Sequence, residues 1–144
     1  LSDGMKRILD GVGAVHSAKY AYTSETAEEK YEGKTAITYK RSDSVYDEVV
    51  HPVVRTHPNT GRKALYVNPM FTIRLEDMSE EESKPLLDYL FAHCTKPDFC
   101  CRVPWDPKMV TMWDNRCVQH YAVDDYVEYE RLLYRVTVNG EKPV

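Results

Sequence analysis

The amino-acid sequence predicts a mainly β fold with flanking helices, which belongs to the α+β class. Two β-rich runs, Val49 to Thr56 and Lys63 to Val67, are the first observation behind this prediction. The residues between them, 57–62, contain Pro, Asn and Gly, which favour the turn of an antiparallel hairpin. A helix with a strong start signal follows after residue 78, and we expect it to pack on the sheet.

The first element along the chain is a short predicted helix. Ser2 is a suitable N-cap for it, and apolar side chains follow at helical spacing. These apolar positions are Met5, Ile8, Leu9 and Val12. Gly11 and Gly13 are expected to end the helix, because glycine readily adopts the backbone conformation that closes one.

The stretch from residue 16 to residue 47 is polar and shows no sustained periodicity. We expect a surface excursion here, and we keep a second interpretation, a lid that covers an active site when substrate binds. Beyond the hairpin, Asn68 and Pro69 break the strand, and Phe71 to Leu75 resumes an extended run.

The predicted helix after residue 78 has two candidate starts. Ser79 and Glu82 have the form of a capping box, but Pro85 then lies deeper than the first turn, so Ser83 is the alternative start. The apolar stripe of this segment is typical of a helix packed against a sheet. The stripe consists of Leu86, Leu87, Leu90, Phe91 and Cys94.

Three further strands are predicted in the last third of the chain, over Phe99 to Val103, Met109 to Trp113 and Glu130 to Val138. In the last of these, alternation places Arg131 and Arg135 on one face. Two guanidinium groups that face one enclosed space are costly to bury unless an anion lies between them. The sequence therefore indicates a pocket for a carboxylate-bearing ligand, with His120 as a candidate metal ligand shortly upstream.

Composition limits the classes of function that the chain can have. The 144 residues suit one domain, and the net charge of −4 offers no basic surface for nucleic acid or an anionic membrane. No apolar run reaches membrane-spanning length. The four cysteines contain no CxxC pair, so we expect reduced thiols and a cytoplasmic location. Homo-oligomerisation stays open.

Three stretches of the chain, taken together, are typical of one enzyme family. They are WDNRCVQH at residues 113–120, HPVVRTHPNTGRKALYVNPMFT at residues 51–72 and LLDYLFAHCTKPDF at residues 86–99. Two arginines follow the histidine of the first stretch by eleven and fifteen positions. In this order and spacing, the stretches resemble the C-terminal half of the taurine/α-ketoglutarate dioxygenases.

The resemblance implies a double-stranded β-helix, or jelly roll, with a site for Fe(II), the cosubstrate 2-oxoglutarate and O2. It implies that His120 is the distal iron ligand. Arg131 corresponds to the arginine that pairs with the far carboxylate of 2-oxoglutarate, where a planar guanidinium suits bidentate contact. Arg135 corresponds to an arginine near the other cosubstrate carboxylate and the anionic head of the primary substrate. Phe71 corresponds to an aromatic residue that contacts the substrate's short carbon chain.

The implied reaction couples oxidative decarboxylation of 2-oxoglutarate, which gives succinate and CO2, to hydroxylation of a small anionic organic substrate. With a sulfonate such as taurine, our leading hypothesis, the hydroxylated product would collapse to sulfite and an aldehyde. The alkylsulfatases and aryloxyalkanoate dioxygenases of the same family are the alternatives. A hypothesis from a different class is a non-catalytic fragment or binding module that no longer assembles iron.

The sequence departs from the family pattern in one respect. A non-haem iron(II) oxygenase needs two histidines and one carboxylate on one face of the metal, but no His-x-Asp or His-x-Glu occurs in the chain. The predicted strands number roughly five or six, whereas a jelly roll has about eight. We therefore expect residues 1–144 to be the C-terminal portion of a single jelly-roll domain. The strands of the first half would then be missing, and the fragment would be inactive alone.

Other histidines and cysteines are weaker candidates for a metal site. His51 and His57 do not suggest a shared metal, because six residues of extended strand separate them by roughly 20 Å. We expect structural roles for both. A zinc site is a third hypothesis, but the spacing of its members is poor. Its ligands would be His93, Cys94, Cys100 and Cys101.

Overall fold

The computed structural model describes residues 1–22, 42–123 and 130–144. Three helices and five strands are described, in the order α1 (Asp3–Leu9), β1 (Gly13–His16), α2 (Lys19–Tyr22), β2 (Val49–Pro52), β3 (Val54–Thr56), β4 (Lys63–Leu65), β5 (Thr72–Leu75) and α3 (Glu80–Cys94). Of the predicted polar excursion, α2 and a 3-10 turn at Asp43–Tyr46 are described. Its centre, residues 23–41, lies outside the described residues, so the lid interpretation stays a prediction.

The first helix forms where the sequence predicts it. Ser2 is its N-cap, and the Ser2 hydroxyl accepts a hydrogen bond of 3.3 Å from the backbone N–H of Met5. Leu9, at the end of α1, is 1% exposed and belongs to the core. Gly11 then adopts a positive φ of 78°, which turns the chain towards the sheet.

The larger sheet has the strand order β2-β1-β5, and both of its pairings are antiparallel. Its central strand, β1, was not predicted, because Gly13 reads as the end of the first helix. The strand is short, and Gly13 begins it for a packing reason. A Cβ atom at this position would meet the side chains of Glu76 and Val50. Ala14 lies in mid-strand, fully buried, opposite His51 on one side and Leu75 on the other.

The predicted hairpin is confirmed as the second sheet, in which β3 pairs antiparallel with β4 in the register Val54↔Leu65. The predicted run from Val49 to Thr56 is, however, divided between the two sheets. The division falls at Val53, which is fully buried and donates its backbone N–H to the carbonyl of Val12 at 2.9 Å. One extended segment therefore links both sheets through the core.

Helix α3 begins at Glu80, so the capping-box start is confirmed over the alternative start at Ser83. Ser79 accepts from the backbone of Glu82, and the Glu82 carboxylate accepts from the backbone of Ser79. Pro85 is tolerated inside the helix. Two apolar side chains of α3 lie in the core with residues of the strands and loops. The core consists of Leu9, Ala14, Val53, Val67, Leu75, Leu87 and Leu90.

The three strands predicted after residue 98 are not observed, and these predictions were wrong for this structure. After a 3-10 turn at Pro97–Phe99, the described residues up to 144 contain no helix or strand. A β-strand needs a neighbouring backbone for its hydrogen bonds. Among the described residues, the segment 130–138 has no such neighbour, and Val136 and Val138 are 92% and 89% exposed. The alternating pattern of this segment is therefore present in the sequence without a sheet to receive it.

The fold class is mixed helix and strand with antiparallel sheets, which agrees with the broad prediction. None of the helices that the structure describes is long and apolar enough to cross a membrane. All four cysteines are unpaired, as expected.

Candidate functional site

The histidine predicted to bind metal follows a tight turn that begins at Asp114. The carbonyl of Asp114 accepts the backbone N–H groups of Cys117 and Val118, at 3.1 and 3.0 Å. Its side-chain Oδ1 accepts the backbone N–H of Arg116 at 2.9 Å. Aspartate suits this position because its short carboxylate can reach the backbone two residues ahead. The turn within the motif WDNRCVQH is thus stabilised by hydrogen bonds to Asp114.

The Asp114 carboxylate also receives two side chains. Arg116 donates from Nη2 to Oδ2 at 2.7 Å and from Nε to Oδ1 at 2.9 Å, which is a bidentate pairing. His57, from the hairpin, lies 3.1 Å from Oδ2 through its Nε2. The hydrogen bonds from Arg116 and then His57 hold the pKa of Asp114 well below its usual range. The carboxylate is therefore ionised and held by groups from two parts of the chain.

The tautomer of His57 follows from its other ring nitrogen. The backbone N–H of Asn59 donates to Nδ1 of His57 at 3.3 Å, so Nδ1 is the acceptor. The ring proton is then on Nε2, which donates to Asp114. Arg116 closes the loop of contacts, since its Nη1 donates to Oδ1 of Asn59 at 2.7 Å. We call these four residues, His57, Asn59, Asp114 and Arg116, the hairpin–turn network.

The structure places His120 against Trp113, with ring centroids 4.8 Å apart. The Trp113 indole N–H donates to Oδ1 of Asn115 at 2.9 Å, and the neighbouring Gln119 donates to the carbonyl of Val67 at 2.7 Å. The His120 side chain is exposed. The imidazole of His120 therefore packs against Trp113 and is accessible from solvent.

The two predicted arginines are not enclosed with His120 by the described residues. Arg131 is half-buried and Arg135 is exposed, in the segment for which the strand prediction was wrong. The shared-face interpretation required a strand, and that strand is not formed. Their assignment as ligands of a dicarboxylate stays a prediction.

Phe71, the predicted substrate contact, lines a cavity of about 380 Å³. The side chain of Asn68 sets the loop before β5, because its Oδ1 accepts the backbone N–H groups of Met70 and Phe71 at 3.1 and 2.9 Å. The Phe71 carbonyl accepts the backbone N–H of Ser17 at 2.8 Å. Tyr22 lies beside Phe71, with ring centroids 6.3 Å apart. Phe71 is thus held at the cavity by hydrogen bonds of its backbone N–H and carbonyl groups.

Two imidazoles, those of His16 and His51, line the same cavity. Their ring centroids are 5.3 Å apart, and the ring of Tyr66 lies 6.1 and 5.7 Å from them. Burial, with a smaller effect of His51, lowers the pKa of His16 to about 4. Burial and the cations Lys142 and Arg55 lower the pKa of His51. Both rings are therefore neutral near pH 7. The proximity of His16 and His51 was not predicted, because it depends on strand β1, which was not predicted either.

An ion pair between a buried arginine and a half-exposed glutamate joins the C-terminal residues to the hairpin. Arg55 is 4% exposed, donates to Oε1 of Glu141 at 2.7 Å and lies 5.1 Å from the ring centroid of Tyr66. The backbone N–H of Thr56 donates to the carbonyl of Val144 at 2.9 Å. Nothing in the sequence pattern pointed to this pair, since its members are 86 residues apart.

The described residues contain one cluster of side chains with the ligand types of a metal site. One group of three, His57, Asp114 and Cys117, has its ligand atoms within 4.8 Å of one another. It does not suit a cation, because the guanidinium of Arg116 already neutralises the carboxylate at 2.7 Å. The cysteines of the zinc hypothesis form no such group in the described ranges. His120 belongs to no such group among the described residues, so its assignment as a metal ligand stays a prediction.

Known proteins resemble the chain over nearly its whole length. Residues 1–137 match the model of the taurine catabolism dioxygenase TauD, TfdA family. An alpha-ketoglutarate-dependent sulfate ester dioxygenase of Pseudomonas putida is 37% identical over 100% of this chain and 47% of its own length. An alpha-ketoglutarate-dependent sulfonate dioxygenase of Saccharomyces cerevisiae is 32% identical over 100% of this chain and 33% of its own.

A solved structure gives the same result at the level of the fold. The crystal structure of a taurine dioxygenase from Burkholderia xenovorans superposes with a TM-score of 0.53 and 29% identity. The match covers 74% of this chain and 29% of that one. The chain therefore spans about half the length, or less, of the relatives that it matches. With a family match that extends over residues 1–137, the chain belongs to the TauD, TfdA family of dioxygenases.

Proposed function

We propose that this chain is the C-terminal portion of an Fe(II)- and 2-oxoglutarate-dependent dioxygenase that acts on a small anionic organic substrate. In this proposal, residues 1–144 are part of one jelly-roll domain, and the strands that carry the other iron ligands lie outside the chain. The family match over residues 1–137 is the observation that carries the proposal. The relatives named above are all longer than this chain.

His120 is the metal ligand that this chain supplies. It is exposed, follows a turn fixed by hydrogen bonds and rests against Trp113. Iron in such a site would supply the oxidation, with 2-oxoglutarate and O2 as cosubstrates. The part of this chain is to hold one ligand in place and to neutralise the charges of the cosubstrate and substrate. The family motif at residues 113–120 supports this role for His120.

Arg131 and Arg135 supply the positive charge. A guanidinium forms two parallel hydrogen bonds with a carboxylate, which suits Arg131 for the far end of 2-oxoglutarate. Arg135 serves the second cosubstrate carboxylate and the anionic head of the primary substrate. Both arginines require the segment 130–138 to pair with a neighbouring strand of the complete domain, which would restore the shared face.

The cavity beside Phe71 supports a substrate with a short apolar part. The ring of Phe71 offers an apolar contact, and the neutral imidazoles of His16 and His51 line the same cavity. We propose a sulfonate such as taurine as the substrate, with release of sulfite. A sulfate ester is the second candidate, because the relative with 37% identity is a sulfate ester dioxygenase. We further propose a cytoplasmic location.

The substrate can be assigned with the full-length protein that carries this chain, supplied with Fe(II), 2-oxoglutarate and O2. We expect taurine-dependent formation of sulfite and succinate in equal amounts. Sulfate release from a short alkyl sulfate would favour the second candidate, and turnover of an aryloxyalkanoate would favour a third branch of the family. If the full-length protein binds iron but couples no substrate to succinate formation, the protein is a binding module and the proposal is wrong.

A further inference from the structure

We propose that His57 and Asp114 are positioning residues for His120: they fix the turn that aims its imidazole at the metal. The inference rests on the proposed function only in that His120 is taken as a metal ligand. Neither residue would touch the metal. Both would act through hydrogen bonds that tie the turn to the β3–β4 hairpin.

The hairpin side of the contact is fixed by burial and hydrogen bonds. His57 follows β3 directly and is 8% exposed, and its backbone N–H donates to the carbonyl of Arg62 at 2.9 Å. The backbone N–H of Asn59 occupies Nδ1, so the Nε2–H bond has one direction, towards Asp114. A buried donor without a partner would be costly. The imidazole therefore holds the carboxylate at a fixed place relative to the hairpin.

The turn side of the contact is the residue on which the turn is built. Asp114 accepts three backbone N–H groups of residues 116–118 through its carbonyl and side chain. Arg116 adds a bidentate contact and a second link to the hairpin through Asn59. Rotation of the turn away from the hairpin would break the contacts of both His57 and Asn59. The hairpin–turn network thus locks the turn as a unit.

The locked turn is connected to His120 from both sides. Trp113 directly precedes Asp114 and packs on the His120 ring at 4.8 Å. Gln119 directly precedes His120 and is tied to the carbonyl of Val67, two residues after β4, at 2.7 Å. A metal ligand that is held in place before the metal arrives loses less conformational freedom on binding. Loosening the turn should therefore lower the affinity for the metal, although no metal ligand is removed.

The test uses the full-length protein that carries this chain and Co(II) as the metal probe, measured by its affinity and its visible ligand-field spectrum. His57→Phe removes the donor and keeps an aromatic ring, whereas His57→Gln retains an N–H donor. His93→Phe is the matched control, since His93 lies on α3 among Tyr89 and Phe99. Hydrogen exchange of the peptide 113–120 in the metal-free protein gives a readout without metal.

We expect His57→Phe to lower the affinity for Co(II) by about 10-fold or more. This is the usual effect of losing a group that orients a metal ligand. Exchange in residues 113–120 should be faster, and the Co(II) spectrum should change. His57→Gln should recover most of each effect, and His93→Phe should change none. Asp114→Asn weakens the same contact from the other side, so the double variant with His57→Phe should bind Co(II) no worse than the weaker single variant.

Wild-type Co(II) affinity and spectrum in a folded His57→Phe protein would overturn the inference. So would a His57→Gln protein that is folded but as weak as His57→Phe. If His57→Phe does not fold, Asp114→Asn carries the test with the same outcomes. His120→Ala separates the two proposals. Loss of Co(II) binding in His120→Ala with no effect of His57→Phe rejects the positioning role alone. Unchanged binding in His120→Ala rejects the ligand assignment itself.

Discussion

His16 shows how a single side chain of this molecule is set by its surroundings. It is 6% exposed, its Nδ1 lies 3.3 Å from the hydroxyl of Thr72, and its Nε2 has no hydrogen-bond partner among the described residues. A buried imidazole in this position is stable when neutral, because the charged form would lose its hydration. The folded chain therefore resists protonation of His16.

This burial predicts a pH dependence of stability. The pKa of His16 is about 4 in the folded chain, against 6.5 for the ordinary group. The unfolded chain therefore takes up a proton as the pH falls below about 6.5, while the folded chain does not until about 4. The free energy of unfolding is therefore unaffected by protonation of His16 above about pH 6.5. It decreases as the pH falls from there towards about 4, because the unfolded chain binds the proton more tightly. We expect a loss of about 3 kcal/mol.

Urea unfolding of the 144-residue chain at pH 7.5 and at pH 4.5 measures this loss. In the His16→Leu variant the difference between the two pH values should shrink, with the remaining part due to other groups such as His51, whose pKa is also lowered by burial. Equal differences in the wild type and the variant would mean that His16 titrates alike in both states.

At the level of elements, Ser83 joins α3 to the larger sheet. It is fully buried, accepts the backbone N–H of Leu75 at 2.9 Å and donates to the carbonyl of Ser79 at 2.7 Å. The residue that seemed a second candidate for the start of the helix is thus a link between helix and strand. These two hydrogen bonds connect the first turn of α3 to strand β5.

Ser83→Ala should destabilise the chain by about 1–3 kcal/mol, because it leaves the buried N–H of Leu75 without an acceptor. Chemical denaturation gives the value. Ser44→Ala is the control, since Ser44 is exposed, and a change within about 0.5 kcal/mol is expected there. Equal values for the two variants would show that the contact with Leu75 contributes nothing.

The segment 130–138 behaves as a strand sequence without a sheet. Leu132, Tyr134, Val136 and Val138 alternate along it and are 70%, 91%, 92% and 89% exposed. An apolar row of this kind is normally covered in a folded protein. The proposed complete domain would cover it and would give its backbone a partner.

Hydrogen exchange distinguishes a segment 130–138 without a neighbouring strand from one that is part of a sheet. In the 144-residue chain, we expect the amides of residues 131–138 to exchange at close to unprotected rates. In the full-length protein they should be slowed by about 100-fold or more, which corresponds to an opening free energy of about 3 kcal/mol. Strong protection in the short chain, or none in the full-length protein, would contradict the proposal that this segment is a strand of a larger sheet.

Across the whole molecule, the elements with local signals were predictable and those that depend on distant partners were not. Ser2 and Ser79 cap helices through residues three positions away, so the sequence carries the complete signal. Strand β1 is four residues long and begins at a glycine, which hides it. Conversely, the run 130–138 has the alternation of a strand but pairs with no strand among the described residues.

The candidate site shows the same division. Phe71 was predicted as a substrate contact from its resemblance to the family. The structure places it at a cavity, and its contact with substrate stays a prediction. The pairing of His57 with Asp114 could not be read from the sequence, because 57 residues separate them and no local pattern records the contact. The structure supplied that contact, whereas the assignment of His120, Arg131 and Arg135 still rests on the family motif.

For the whole molecule, we propose that His120 is an iron ligand of a 2-oxoglutarate-dependent dioxygenase. The affinity of the full-length protein for Fe(II), measured without O2 in the presence of 2-oxoglutarate, tests this role in the wild type and in His120→Ala. We predict that one Fe(II) binds the wild type and that His120→Ala weakens it by about 100-fold or more, while His93→Ala leaves it unchanged. Equal Fe(II) affinity of the wild type and His120→Ala would contradict the claim.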